Sequence, residues 1–85
     1  MPEISRFYGI VIAMYYYEHG VAHFHATHGE HKVSVEVDSG TVRGIFPTRP
    51  LRRVLHWRAL HKAELLTNWN LARDAKPLNP IPPLE

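Results

Sequence analysis

Val33, Val35 and Val37 alternate with Lys32, Ser34, Glu36 and Asp38. A period of two is what a β-strand with one buried and one wet face requires, and it excludes a helix over the same stretch. Turn signals bracket this strand, His28-Gly29-Glu30 before it and Ser39-Gly40 after it. Val21 to Thr27 then reads as the preceding strand and Thr41 to Phe46 as the following one. Phe7 to Tyr17 is apolar, β-branched and aromatic, which favours a strand over a helix. Gly9 near its start marks a bulge or a close backbone approach. Met1 to Arg6 is a short lead-in. Short turns between consecutive strands imply a four-stranded antiparallel meander.

The valines also orient the histidines, four of which lie in His23-Phe24-His25-Ala26-Thr27-His28-Gly29-Glu30-His31. A two-residue turn, at either His28-Gly29 or Gly29-Glu30, puts Phe24 and Ala26 on the valine face. His23 and His25 then share the other face with Ser34 and Glu36. A three-residue turn reverses this, because a one-residue slip swaps faces. Burying Phe24 beside valines is better than burying two imidazoles, so the two-residue turn is expected.

Pro47 ends the sheet. Thr48 is a plausible N-cap and Pro50 fits a first helical turn, where a missing N–H costs little. One long helix is expected from there to about Asp74. Its stripe is Val54, Trp57, His61, Leu65, Asn68, Trp69 and Ala72, with Arg52, Arg53 and His56 opposite. The expected fold class is therefore α+β: a four-stranded meander with one C-terminal helix packed on one face, a single domain over residues 1–75. Residues 76–85 hold Pro77, Pro80, Pro82 and Pro83 and read as an extended proline-rich tail, with Leu78, Ile81 and Leu84 available to strap it down.

Composition narrows the function classes. The 85 residues contain no cysteine, so disulfides and thiolate metal sites are ruled out. No apolar run approaches the ~20 residues that span a bilayer, and a soluble cytoplasmic protein with no membrane partner is expected. The formal charge of +2 is only mildly basic. Arg49, Arg52 and Arg53 near the helix start form a candidate contact for an anionic partner such as nucleic acid, aided by the helix dipole. A solvated helix start is the plainer reading.

Two histidines two residues apart on a strand face are candidate metal ligands. His23 and His25 suit a divalent cation such as zinc, but a catalytic site needs a third ligand. Glu36 across the strand, His31 near the turn, or a second copy of the chain could supply it. A merely half-wet polar strand face is the competing reading. His61 faces the sheet in the helix stripe, with Glu64 three residues on. A catalytic reading makes His61 a base oriented by Glu64, and the plainer one makes it a hydrogen-bonded core histidine. No nucleophile motif and no glycine-rich phosphate loop is present.

Three segments together resemble a known family. They are Pro2-Glu3-Ile4 with Gly9-Ile10, His23-Phe24-His25-Ala26 with Gly29-Glu30, and Trp57-x3-His61-x2-Glu64-Leu65-x2-Asn68-Trp69. The family is a set of short bacterial proteins catalogued as a domain of unknown function, number forty-one sixty. His23, His25, Glu30, His61, Glu64 and Asn68 match its pattern, while His28 stands where members are often aromatic. The family has no established activity. Its members are often encoded beside a second small protein, so the resemblance implies a toxin–antitoxin-like pair. The expected function is thus a small interaction module that is a homo-oligomer or has a small protein partner. Expected alternatives are a histidine-based or metal-dependent hydrolase or nuclease, and a nucleic-acid-binding regulator.

Overall fold

The computed structural model describes residues 2–85. Five antiparallel strands lie in sequence order: β1 Glu3–Phe7, β2 Ile10–Ala13, β3 His23–His28, β4 His31–Glu36 and β5 Val42–Gly44. Two helices follow, α1 Thr48–Leu60 and α2 Lys62–Arg73.

The meander has one strand more than expected, because the lead-in is itself β1. Phe7 pairs with Ile10, so Tyr8 and Gly9 form a two-residue hairpin turn rather than a bulge. Both have positive φ, +50° at Tyr8 and +75° at Gly9, as the twist of a tight hairpin favours. Gly9 tolerates this conformation; Tyr8 is strained by it, and the Arg53 guanidinium lies 4.1 Å above its ring. The expected Phe7–Tyr17 strand ends at Ala13. Its tyrosines fall in the loop that leads to β3.

The β3–β4 turn is Gly29-Glu30, with His28 opposite His31, Ala26 opposite Val33 and Phe24 opposite Val35. Phe24, Ala26, Val33 and Val35 are buried, together with Ile10, Ile12 and Met14 from the first hairpin and the loop after it. His23 opposes Glu36 and His25 opposes Ser34, and these four side chains are half-buried on the other face. The alternation argument holds on both strands.

The helix is broken at His61, whose φ of −120° and ψ of 26° leave helical space. Thr48 to Arg73 would run roughly 39 Å at about 1.5 Å per residue, whereas the longest dimension of the molecule is 33 Å. The bend keeps both halves of the stripe on the sheet: Val54, Trp57, Leu65, Asn68, Trp69 and Ala72 are buried. Pro47, not Thr48, occupies the N-cap position.

The proline-rich segment is strapped across the core. The Ile81 N–H donates to the Ile4 carbonyl at 2.8 Å, and the Trp57 indole N–H donates to the Pro82 carbonyl at 2.9 Å. Asn68 holds Asn79 from both sides, donating to its carbonyl at 2.9 Å and accepting from its N–H at 2.8 Å. Ile81 is buried in the core.

At the other edge, Gly44 has φ of +114°, and an added Cβ would sit 2.8 Å from the Lys32 carbonyl oxygen. Gly44→Ala is expected to destabilise by about 1–3 kcal/mol in urea unfolding. A change under about 0.5 kcal/mol would show that β5 shifts freely.

Candidate metal centre

β3 places His23 and His25 two residues apart on the outer face, and the loop from Met14 to Ala22 folds back over them. Two positive-φ residues turn this loop, Tyr17 at +61° and Gly20 at +90°. Between them Glu18 points at both imidazoles. Its Oε2 lies 3.0 Å from His23 Nε2 and its Oε1 lies 2.7 Å from His25 Nε2. The Tyr15 ring packs on His25 at 4.5 Å between centroids, and α2 reaches His23 through Trp69 at 5.0 Å.

The hydrogen bonds assign the His23 tautomer. His23 Nδ1 is 2.8 Å from the Val21 carbonyl. A carbonyl only accepts, so Nδ1 carries the hydrogen. A neutral His23 then presents a lone pair at Nε2 to a carboxylate oxygen, which is also only an acceptor. Such a contact is attractive only with a proton or a metal cation between the two atoms. Metal-ligating histidines commonly donate the other ring N–H to a carbonyl in this way, which fixes the ring and leaves one nitrogen for the metal.

Glu18 has the electrostatics of a ligand. Burial pushes its carboxyl up, but when the two imidazoles carry the extra proton the hydrogen bonds from His25 and His23, with their charge, outweigh that and hold it below its ordinary 4.5. The acid therefore stays ionised at neutral pH. Among the described residues, Glu18, His23 and His25 are the one group whose ligand atoms gather for a metal, all within 4.8 Å of one another. Ligand atoms about 2.1 Å from a common ion stand roughly 3.0–3.4 Å apart at octahedral or tetrahedral angles. The two Glu18 contacts, 2.7 and 3.0 Å to its separate carboxylate oxygens, lie close to that spacing.

The third member was not anticipated from the sequence. Glu36 instead accepts from Ser39 at 3.0 Å and from Arg43 at 3.4 Å, and His31 is exposed at the far turn. The missed signal is the spacing Glu18-x4-His23-x-His25, in which Glu18-His19-Gly20 looks like nothing more than a turn.

His61 and Glu64 also meet, with His61 Nδ1 2.6 Å from Glu64 Oε1. The pair sits at the helix break, where the His61 ring packs on Trp57 at 5.5 Å. It contributes nothing to the group around Glu18. Of the three arginines, Arg53 is committed to Tyr8, while Arg49 and Arg52 are exposed.

The family model described as Domain of unknown function (DUF4160) matches residues 9–70. The chain belongs to this family. No curated protein and no solved structure matches it. The span matched by DUF4160 begins at the first hairpin turn and ends within α2. It contains Glu18, His23, His25, His61 and Glu64 and leaves out β1 and the strap. No helix among the described residues is long and apolar enough to cross a membrane.

Proposed function

We propose that this small α+β protein is a divalent-metal-binding domain with Glu18, His23 and His25 as its protein ligands. The carrying observation is the hydrogen-bonded geometry of His23. Its Nδ1–H is held by the Val21 carbonyl, so Nε2 is turned toward a carboxylate that is also an acceptor. Two histidines and one carboxylate leave coordination positions for water and substrate, as in catalytic rather than structural zinc sites. The supported activity class is metal-dependent hydrolysis, in which a bound water is made acidic enough to act as hydroxide near neutrality.

Zinc at about 100 times its Kd should stabilise the full chain by about 2.7 kcal/mol, a rise of roughly 10–20 °C in Tm for a domain of this size. The rise should appear above pH 7 and vanish at pH 5.5, where imidazole protonation competes with metal. His23→Ala combined with His25→Ala should abolish it and leave the fold intact. An unchanged zinc response in that double variant would overturn the assignment.

The metal-free protein offers a second readout. A carboxyl held below its ordinary value adds stability above the unfolded-state pKa and loses it as pH falls through the folded one. Glu18→Gln should therefore flatten the stability profile below about pH 4.5.

Exposed apolar side chains favour a second reading, a module that works against a protein partner or a second copy. Tyr17 and Val21 flank Glu18 in one loop and are 68% and 62% exposed. A partner seated there would cover the metal ligands. Sedimentation giving a clean monomer at tens of micromolar, with no co-purifying protein, would remove this reading. A toxin–antitoxin-like pairing is one form it takes.

A further inference from the structure

A cleft of about 290 Å³ opens beside the metal ligands, walled by His19, Val21, His23, Ser34, Glu36 and Arg43. Of the three proposed ligands, His23 lines this cleft and Glu18 and His25 do not, so the cleft borders the proposed centre through His23. The cleft floor is the outer face of the sheet. There Ser34 opposes His25 on one side and Arg43 on the other. Adjacent strands lie about 4.8 Å apart, so the His25 and Arg43 backbones are roughly 10 Å apart across this row. The long Arg43 side chain lines the cleft within that span.

The charges select the ligand. Arg43 is 73% exposed, and its contact with Glu36 is 3.4 Å, well beyond the ~2.7–2.9 Å of a strong charge-assisted bond. Glu36 is meanwhile held by the Ser39 hydroxyl through its other oxygen. The guanidinium is thus held only loosely by Glu36 at the cleft wall. With a divalent ion bound, the ion and Arg43 together outweigh Glu18 and Glu36 by one positive charge, so the cleft favours an anion. The Arg43 fork and the metal together match a group with several oxygens on one centre.

We propose that this cleft binds the phosphate group of a small phosphate monoester or free phosphate, with one oxygen on the metal and others on the Arg43 guanidinium. The inference rests on the metal-site reading and adds a ligand class to it. The cleft volume is at the small end for ligand sites. It suits a phosphate with a short attached group rather than a long polymer.

The test uses the full chain loaded with cobalt(II), its metal content measured, and titrated with inorganic phosphate and separately with phenyl phosphate. The visible absorption of the cobalt should shift on addition of either, and calorimetry should report one site. The tighter of the two identifies the source of the phosphate. Arg43→Gln should load cobalt as well as the wild type and bind both probes about tenfold more weakly or worse. Failure to load cobalt would overturn the metal reading and this inference together. Loading without any phosphate response, or a response unchanged in Arg43→Gln, would overturn this inference alone.

Discussion

Trp57→Ala is expected to bring the domain close to its unfolding midpoint at room temperature. Trp57 is fully buried on the sheet side of α1. Its ring lies 5.4 Å from Phe7, 5.7 Å from Phe24 and 5.5 Å from His61 between centroids. It therefore joins β1, β3 and the helix break, and its indole N–H also holds the strap at Pro82. Removing a large buried aromatic costs about 3–5 kcal/mol, against a total stability of about 5–15 kcal/mol for ordinary domains. A chain of 85 residues sits toward the low end of that range. Trp57→Phe keeps most of the volume and loses the N–H, so it should cost much less and remain folded. Urea unfolding followed by far-UV circular dichroism measures both. A Trp57→Ala protein that unfolds at the wild-type midpoint would show that the helix does not bury this face.

The sequence was most legible where one face had to be dry. The three valines dictated the β4 strand, and the cost of burying imidazoles dictated a two-residue turn, found at Gly29-Glu30, that sets His23 and His25 outward. The helical stripe was legible for the same reason, down to Asn68 and Ala72. Features that depend on contacts between distant segments were not. Tyr8 at positive φ is a poor local choice for a hairpin, and only Arg53 from α1, 45 positions away, gives its ring a partner. The helix break at His61 has no glycine or proline to announce it. Glu18 joins the proposed metal cluster because a loop with two positive-φ residues brings it back over β3. Hydrophobic periodicity carries no information about such a loop.

That division bears on how the proposed metal site would be built. The rigid strand supplies the two histidines at fixed spacing, while the less regular loop supplies the carboxylate. Such a site is half-built by the sheet and completed by the loop, so metal affinity and loop order should rise together.

The strap is expected to behave as one cooperative unit, with large costs that do not add. Ile81 is 4% exposed, and Ile81→Ala should cost about 2–4 kcal/mol from lost burial and the cavity left behind. Asn68 is fully buried, with its amide satisfied at both ends by the Asn79 backbone. Asn68→Ala removes two hydrogen bonds and should cost about 2–3 kcal/mol. Either change alone loosens the segment that the other residue holds, because Asn79 and Ile81 are only two positions apart and both anchor against the same surface. Once the strap has been released by the first substitution, the second has less native contact left to remove. The double variant should therefore lose about 1–2 kcal/mol less than the sum of the singles, a coupling of the size expected for residues in one network. Guanidinium unfolding of the wild type, both singles and the double variant completes the cycle. If the costs instead add within about 0.5 kcal/mol, then Asn68 and Ile81 hold the chain independently, and the strap is two separate contacts rather than one latch closed over Trp57.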